Sequence, residues 1–405
     1  MILNFNAMKK KLYLFTGGFP YFKFLECFLE DEIVYLSKSF AEVIIIPFEA
    51  NPIRREVPEN CTVKNPIMES KFLYFLRGLY NRRVFPILIK EFFREKVYFS
   101  WKRFVVWIKC YLQSNNYMNS PIIKQLDKEI TQHDICYHYW GKWSNVISVF
   151  MNSNCHHVSR FHGFWDLWEE DFDNYAPLRS IMVETLDYEV FISTLGQKYF
   201  NEKYPKSNTV FSPLGTSDFG IRPQKSTDTY NIVSCSSVYP LKRVPLILES
   251  VVALAQMHPE TKYSWTHIGS GETFKDLMEC VSSHSKMDNL SINLEGAKSH
   301  DEVLKIYQDN HFDAFVNLSI SEGVPVSIME AISFDIPIVA TNVGGTSDIV
   351  CDATGVLVSQ NPIPLEVANA FDNVFNVPRC PRKFWATHYS AELNYGNFAK
   401  FLETL

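Results

Sequence analysis

The sequence predicts an α/β protein built from two Rossmann-like domains, each a parallel sheet covered by helices. Three observations support this fold class. The chain has 405 residues, which is too long for one ordinary core and suits two domains. Its composition is that of a globular protein, with 46% hydrophobic and 21% charged residues. From Lys11 onward, short apolar runs alternate with amphipathic stretches, as in a doubly wound sheet.

The first domain is predicted over residues 1–215. An apolar strand at 12–16 ends in the turn Gly17-Gly18, and a helix at 26–39 follows. Glycines in such a turn let a ligand approach the backbone closely. Four further apolar runs of strand length predict the remaining strands of this domain, at 43–47, 135–139, 157–161 and 190–193.

The second domain is predicted over residues 230–380, after a linker. Residues 216–229 are rich in Ser, Thr, Gly, Asp and Pro and have no apolar period, which is typical of a linker. Strands and helices then alternate regularly, and parallel strands joined by helical crossovers fit this spacing. The predicted strands are 232–236, 263–268, 291–294, 314–318 and 336–340, and the predicted helices are 244–257, 272–283, 301–309 and 326–333.

A basic insert, defined as residues 71–112, interrupts the first domain. It carries ten Lys or Arg residues and only two acids, Glu91 and Glu95, although the whole chain has a net charge of -6. Aromatic residues alternate with the bases, a pattern typical of helices that lie on anionic membranes. The alternative is a pair of amphipathic helices whose aromatic side chains enter the core while the bases are solvated. Nucleic acid is not predicted, because no known reading motif accompanies the charge.

Cysteine usage and hydropathy predict a cytoplasmic protein, with peripheral attachment to the inner face of the cytoplasmic membrane left open. Nine cysteines without a C-x-x-C pair favour reduced thiols. No apolar run approaches the length that spans a bilayer. Cys155-His156-His157 has metal-ligand chemistry, but neighbours along a strand point to opposite faces, so no metal is predicted. The D-x-D triplet at 171–173 could hold a divalent cation, yet it lies in an acidic run that favours a solvated helix surface.

The most informative stretch is SEGVPVSIMEA at 321–331, between a predicted strand and a predicted helix. Glu322 lies at the end of the strand and Glu330 lies inside the helix. Ligands bind at this edge of open α/β sheets, and free amides at the helix start favour an anion. The stretch therefore predicts a diphosphate-binding site. The backbone amides of Val324, Val326 and Ser327 would donate hydrogen bonds to the diphosphate.

The ordered set of motifs in the second half resembles the glycosyltransferase group 1 family of retaining GT-B enzymes. Glu322 and Glu330 are separated by seven residues, and PIVAT at 337–341, Gly344-Gly345 and Asp348-Ile349-Val350 follow. The resemblance implies two Rossmann-like domains that face a central cleft. It also implies that residues 381–405 form a C-terminal helix that packs back on the first domain.

The same resemblance implies roles for individual residues. Glu330 would hold the ribose hydroxyls of the donor, and Glu322 would contact the transferred sugar near its reacting carbon. Lys242-Arg243 would face the phosphates, and His162, in Phe161-His162-Gly163, would lie near the sugar. The other implied donor-binding residues are Gly18, Gly269, Gly323, Val324, Pro325, Val326 and Ser327.

The chain departs from the family pattern at one position. Many members end the first strand of the second domain with an arginine, whereas this chain has Ser236-Ser237. Either Lys242 acts with Arg243, or Lys242 acts with backbone donors alone.

These observations predict a metal-independent, retaining glycosyltransferase. Its co-substrate would be a nucleotide-diphosphate sugar, with a UDP-sugar favoured, and no other cofactor is expected. The acceptor would be a glycan or lipid-linked glycan precursor of capsule, exopolysaccharide or lipopolysaccharide, and the basic insert suggests an anionic membrane surface as a further partner. Two alternatives stay open: a GT-B nucleotide-sugar epimerase, and a non-catalytic partner subunit that binds nucleotide or membrane.

Overall fold

The structure is a computed structural model that describes residues 10–21, 26, 28–142, 144–152, 154–284 and 287–405. The side chains at 164, 165, 171, 283 and 284 are outside this description, so the D-x-D triplet is described only in part. Residue 27 of the predicted first helix also lies outside it. The chain divides into two compact units, Met1–Pro213 with Tyr395–Leu405, and Leu214–Asn394.

The first unit contains a seven-stranded sheet in the order β3-β2-β1-β4-β5-β6-β7. Every neighbouring pair is parallel. Parallel sheets are covered by helices on both faces, which explains why the central strands read as apolar runs. The strands are β1 Lys11–Thr16, β2 Glu42–Pro47, β3 Cys61–Val63, β4 Ile135–His138, β5 His156–Phe161, β6 Tyr188–Phe191 and β7 Thr209–Phe211.

Helices cover this sheet and form the basic insert. Short 3-10 turns at Val97–Phe99, Ser144–Val146 and Glu170–Phe172 connect some of them. The α-helices are α1 Leu29–Ser39, α2 Lys71–Gly78, α3 Val84–Arg94, α4 Trp101–Asn119, α5 Pro121–Glu129, α6 Ile147–Phe150, α7 Phe164–Leu167, α8 Arg179–Thr185 and α9 Thr194–Lys203.

A buried ion pair lies in the core of the first unit. Arg160 of β5 donates from Nη1 to Oε2 of Glu32 at 2.9 Å, and both side chains are fully buried. The hydroxyl of Tyr137 also donates to Glu32, at 2.9 Å. The guanidinium carbon lies 4.2 Å from the ring centroid of Phe398, near the end of the chain. Every oxygen of the carboxylate thus has a partner, which a buried charge requires.

The second unit contains a six-stranded sheet in the order β10-β9-β8-β11-β12-β13, again wholly parallel. The strands are β8 Tyr230–Cys235, β9 Tyr263–Ile268, β10 Leu290–Gly296, β11 Ala314–Asn317, β12 Ile338–Thr341 and β13 Gly355–Val358. The helices are α10 Val244–Met257, α11 Phe274–His284, α12 His300–Asp309, α13 Val326–Ser333, α14 Thr346–Ile349, α15 Pro364–Asn376 and α16 Pro381–His388. The last helix of the chain is α17 Ala391–Thr404.

The two parallel sheets confirm the predicted α/β class. The strands that the sequence did not predict are β3 and β7, each of three residues, and β13, which all lie at sheet edges. Edge strands are short and half exposed, so their apolar pattern is weak.

The predicted linker and the predicted closing helix both differ from the structure. Residues 216–229 belong to the second unit, where Arg382 forms an ion pair with Asp218 at 2.7 Å and Trp385 donates to Thr216 Oγ1 at 2.8 Å. Residues 381–405 form two helices, and only Tyr395–Leu405 belong to the first unit. Because Trp385 is buried on the segment around Thr216, α16 stays with the second unit.

The basic insert presents aromatic and basic side chains together on its surface. No helix among the described residues has the length and apolar character that crossing a bilayer requires. Trp107 is buried, so part of the predicted packing alternative is correct. Other aromatic residues of the insert are more than half exposed, namely Phe72, Phe75, Tyr80, Phe93, Tyr98, Phe99 and Trp101.

Candidate active site of the second unit

The candidate site lies at the carboxyl edge of the second sheet. Strands β8 and β11 are neighbours there, and the chain order runs outward from them in opposite directions. This is a topological switch point, where the loops after the two strands separate and leave a crevice. The loop after β8 carries Lys242, and the loop after β11 carries Glu322.

These two loops bring together a lysine and a glutamate that are eighty positions apart. Nζ of Lys242 lies 2.6 Å from Oε1 of Glu322, and the side-chain exposures are 19% and 11%. Asn317, the last residue of β11, donates to the same oxygen at 3.2 Å. The predicted neighbourhood of these side chains is therefore observed, as a half-buried pair that a ligand can reach.

A glycine turn after β12 supports the backbone of Glu322. Gly344 has a φ of +52°, and a Cβ there would lie 1.8 Å from the carbonyl oxygen of Glu322. The amide of Gly345 donates to the carbonyl of Gly323 at 2.7 Å. Only glycine allows this approach at Gly344, so the Gly-Gly pair of the sequence positions the acid.

Glu330 lies on α13 and is 8% exposed. Its Oε1 lies 2.7 Å from Nε2 of His300, the first residue of α12. His300 was not predicted, because no spacing links it to the motif and only the crossing of α12 brings it near. No side chain caps the start of α13, whose N-cap is Pro325. The amides of the first turn, Val326 and Ser327 among them, have no partner within the helix and remain suited to an anion.

Arg243 contacts backbone carbonyls, whereas its neighbour Lys242 contacts the carboxylate of Glu322. Its guanidinium donates to the carbonyl oxygens of Leu318 at 2.5 Å, Ser319 at 3.0 Å and Gln360 at 2.9 Å. The residue thus ties together the loops after β11 and β13. The predicted phosphate contact of Arg243 stays a prediction, whereas Lys242 is the cation at the acid.

Gly269 follows β9 and fits against the loop after β8. Its φ is +139°, and a Cβ would lie 1.9 Å from the carbonyl oxygen of Ser236. The amide of Ser236 donates to the carbonyl of Ile268 at 3.0 Å. Where the family pattern places an arginine, the chain therefore has a small residue in a tightly packed turn.

His162 follows β5 in the first unit. Its ring packs against Trp140 and Tyr139, with centroid distances of 4.4 and 4.8 Å, and the residue is 9% exposed. Burial lowers the pKa of His162, which favours the neutral imidazole. Nδ1 lies 3.6 Å from the Asp166 carboxylate, too far for a hydrogen bond, and neither ring nitrogen has a hydrogen-bond partner.

The Gly17-Gly18 turn of the first unit holds a carboxylate of the chain itself. The amides of Gly17, Gly18 and Phe19 donate to Glu26 at 2.7, 2.9 and 2.6 Å. Trp140 Nε1 donates to the same carboxylate at 2.5 Å. The predicted donor contact of Gly18 is untested, but its amide has an internal acceptor that the sequence pattern did not reveal.

The cysteine and histidine side chains of β4 and β5 come together beneath the first sheet. Ligand atoms of Cys136, Cys155 and His157 all lie within 4.8 Å of one another and are buried. Parallel pairing of Cys136 with His157 creates this group, which explains why the triplet at 155–157 did not reveal it. Burial raises the pKa of the Cys136 thiol, and its sulfur lies 3.5 Å from that of Cys155. Three such ligands could hold a soft metal ion only with a fourth group or an open position.

Comparisons with solved structures identify the fold over the whole chain. The lipopolysaccharide outer core galactosyltransferase WaaB matches 96% of this chain and 99% of its own, with a TM-score of 0.66 and 14% identity. The Anabaena protein HepE, solved in complex with UDP, matches 98% of this chain and 100% of its own, with a TM-score of 0.66 and 12% identity. The class is therefore the GT-B glycosyltransferase fold.

Sequence comparison adds a family match for the second unit. The family described as glycosyl transferases group 1 matches residues 220–384, which include Lys242, Glu322 and Glu330. Over these residues the chain is therefore similar to the group 1 glycosyltransferases.

Two relatives of described activity are similar to part of the chain. The GtfA subunit of the UDP-N-acetylglucosamine–peptide N-acetylglucosaminyltransferase of Streptococcus pneumoniae is 20% identical over 338 residues, 79% of this chain and 63% of that relative. One phosphatidylinositol N-acetylglucosaminyltransferase subunit of Arabidopsis thaliana is 29% identical over 142 residues, 35% of this chain and 30% of that relative. The chain thus spans less than two thirds of the length of either relative.

Proposed function

We propose that the protein transfers a sugar from a UDP-sugar to a glycan precursor, with retention of anomeric configuration and without a metal ion. The half-buried Lys242–Glu322 pair at the β8/β11 switch point carries this proposal. It combines an acid for a positively charged sugar with a cation for a negatively charged leaving group. Both charges develop in the transition state of glycosyl transfer.

The donor would be held by its two ends. Glu330, which lies 2.7 Å from His300 without ligand, would accept hydrogen bonds from the ribose hydroxyls. The diphosphate would meet the amides at the start of α13 and the ammonium of Lys242. Lys242 would then exchange part of its contact with Glu322 for the phosphate, leaving that carboxylate beside the sugar.

Retention can follow from substitution on the front face. The bond between the anomeric carbon and the phosphate oxygen breaks, and the bond to the acceptor oxygen forms on the same side. The acceptor proton passes to the departing phosphate oxygen, so no carboxylate nucleophile is needed. Lys242 lowers the barrier by stabilising the diphosphate charge, which supplies the role that a metal ion has in other transferases.

UDP-N-acetylglucosamine is the first donor to test, because the names of both curated relatives carry N-acetylglucosamine. The acceptor we propose is a glycan or lipid-linked glycan of the cell surface, such as a capsule, exopolysaccharide or lipopolysaccharide precursor. WaaB, whose fold the chain shares, is named for lipopolysaccharide outer core.

Nucleotide binding is the first experiment. Thermal unfolding should be measured with UDP, GDP, ADP and their sugars, since a ligand at about 100 times its Kd adds about 2.7 kcal/mol of stability. UDP should raise Tm in the wild type and in a Glu279→Ala control, which changes an exposed acid of α11, but not in Glu330→Ala. Equal shifts in all three proteins would refute the assignment of Glu330.

Product analysis separates transfer from the two alternatives. An epimerase converts the donor when no acceptor is present, whereas a transferase forms a glycoside only with acceptor. The anomeric configuration of that glycoside, read by NMR coupling constants, tests retention. A purified chain that binds UDP but turns over no donor with any acceptor would favour the non-catalytic subunit.

We also propose that the basic insert lies on an anionic membrane. Its exposed aromatic residues would enter the headgroup region, and its exposed bases, which include Lys96 and Lys102, would contact anionic lipid. Exposed aromatic residues and exposed bases alternate within 93–102, so this segment offers both interactions.

Vesicle sedimentation tests this membrane contact. The wild type should sediment with vesicles that contain phosphatidylglycerol and not with pure phosphatidylcholine. Lys96→Gln with Lys102→Gln should weaken binding by about 1 kcal/mol for each base, whereas Lys128→Gln on α5 should not. Equal binding to vesicles with and without phosphatidylglycerol would refute the proposal.

A further inference from the structure

A cavity of about 380 Å³ lies in the first unit, beneath the insert helix α4. Its walls come from three separate parts of the chain. These parts are α4, the segment 172–182 that ends within α8, and four residues after β4, namely Gly141, Lys142, Asn145 and Val146. The volume falls in the range of sites for small organic molecules. None of these walls belongs to the candidate site of the second unit, so the cavity needs its own explanation.

The charge of this cavity is one-sided. Three cations line it, Lys109, Lys142 and Arg179, and no acid is among the described lining residues. Burial first, and then the charge of Arg179, lower the pKa of Lys142 to about 8. Lys109 is exposed, whereas Lys142 is half-buried and Arg179 is buried. Two cations that lie together with little access to water are unfavourable unless an anion joins them.

Of the three cations, Arg179 gives the strongest indication of an anionic ligand. It is only 4% exposed, yet its Nε and Nη1 have no hydrogen-bond partner. Nη2 donates to the backbone carbonyl of Asp166 at 2.8 Å, which fixes the guanidinium in place. The ring centroid of Phe161 lies 4.9 Å from the guanidinium carbon and holds it from another side. A fixed, buried guanidinium with free donors is suited to a phosphate or carboxylate.

The nearby acids supply only part of the counter-charge, and the negative charge that acts on Lys142 comes from Asp166. The carboxylate of Asp166 accepts hydrogen bonds from the amides of Gly141, His162 and Gly163, at 3.0–3.1 Å. Burial raises the pKa of Glu189 to about 8, so this acid is mostly neutral at pH 7 and leaves Arg179 uncompensated.

Part of the remaining wall is apolar. Val146 and Met182 are at most 5% exposed, and Val106 of α4 also lines the cavity. An anion alone would leave this part of the space unfilled. A ligand with a charged head and an uncharged body would fill both parts.

We propose that this cavity binds a phosphate ester with an apolar body, its phosphate held by Arg179 and Lys142 and its body packed against Val106, Val146 and Met182. The inference goes beyond the proposed transfer reaction and does not depend on it. Free organic phosphates and the phosphate of a lipid share this chemistry, and the choice of probe distinguishes them.

Calorimetric titration of the full chain with four probes tests the site. Octyl phosphate, used below its micelle concentration, should bind with one site per chain. Inorganic phosphate should bind at least tenfold more weakly, because it leaves the apolar part of the cavity unfilled, and equal affinity would overturn the proposal. Ethyl phosphate should bind as well as octyl phosphate if the natural ligand is a small free ester, and at least tenfold more weakly if it is a lipid. 1-Octanol should not bind, and binding of 1-octanol as tight as that of octyl phosphate would overturn the proposal.

Variants locate the binding. Arg179→Met and Lys142→Met should each weaken octyl phosphate at least tenfold, and Lys128→Met on α5, an exposed lysine outside the cavity, should leave the affinity unchanged. If Arg179→Met does not fold, Lys142→Met and Val106→Trp, which fills the apolar part, carry the test. Wild-type affinity in Lys142→Met and Val106→Trp would overturn the proposal.

Discussion

Each unit of the molecule contains a cation paired with a glutamate, and the two pairs differ in their access to solvent. Arg160–Glu32 in the first unit is fully buried at 2.9 Å, with Tyr137 as a further partner. Lys242–Glu322 in the second unit is 2.6 Å long, but its side chains remain 19% and 11% exposed at the carboxyl edge of the sheet.

The difference shows how the same chemistry can serve the fold or a ligand. The side chains of the buried pair are closed to solvent, so no ligand can reach them, and removal of one partner leaves an isolated charge. The half-buried pair at the sheet edge keeps some exposure, so a phosphate can reach Lys242 and replace its lost contact with Glu322. Position in the sheet therefore decides the role more than the residue types do.

The largest expected effect tests the buried pair. Arg160→Met should lower the free energy of unfolding by about 3–5 kcal/mol, because Glu32 loses its counter-charge inside the core. Urea denaturation measures the change. The double variant Arg160→Met with Glu32→Gln should recover part of the loss. A loss below about 1 kcal/mol in the single variant would contradict a stabilising role for the buried pair.

Substitution in the half-buried Lys242–Glu322 pair should change the activity more than the stability. Lys242→Met should lower kcat by about 10²–10³-fold, as expected for loss of one group that stabilises the departing charge. Its unfolding free energy should change by no more than about 1 kcal/mol. Steady-state kinetics with UDP-N-acetylglucosamine and the same urea series provide both numbers, and wild-type turnover would contradict the assignment.

Glu189 is a buried acid that forms no ion pair among the described residues, although the charge of Arg179 acts on it. Both carboxylate oxygens of Glu189 are buried without a partner, and burial raises its pKa from 4.5 to about 8. Between these values the unfolded chain has lost the proton and the folded chain keeps it, so stability falls as pH rises. The contribution is at most about 1.4 kcal/mol per pH unit.

Glu189→Gln should remove this slope. Urea unfolding at pH 5, 6, 7 and 8 measures it, with the variant expected to be the more stable protein at pH 7–8. A slope that is the same in the variant and the wild type would show that Glu189 ionises normally in the folded state.

The smallest effect separates Arg243 from Lys242. Because its guanidinium is bound to backbone carbonyls of two loops, Arg243→Met should lower the unfolding free energy by about 1–2 kcal/mol. The rise in Tm caused by UDP should stay close to that of the wild type. If UDP no longer raises Tm, the original prediction of a phosphate contact for Arg243 would be supported.

The residues of the second unit show what can be predicted from local pattern. Strand β11, helix α13 and the glycine turn at 344–345 each have a contiguous signal of apolar period or glycine pairing, and the structure places them at one sheet edge. Because parallel strands end at the same edge, their loops meet there whatever their distance in sequence. Lys242 and Glu322 could be linked for this reason alone.

Other contacts could not be predicted in this way. His300 beside Glu330 and Glu26 on the amides of Gly17 and Gly18 depend on where a helix crosses or how a loop turns. No periodicity encodes these placements, since they follow from packing between elements that are remote in the chain.

The sequence by itself determined the α/β class, the family resemblance and the two acids of the candidate site, because these depend on short-range period and spacing. The tertiary structure alone decided which charges are satisfied. Arg160, Lys242 and Arg179 are similar side chains, and their surroundings make one a core ion pair, one a candidate for catalysis and one a buried cation with free donors. Electrostatic energy depends on burial and on the distance to counter-charges, and both quantities exist only in the folded chain.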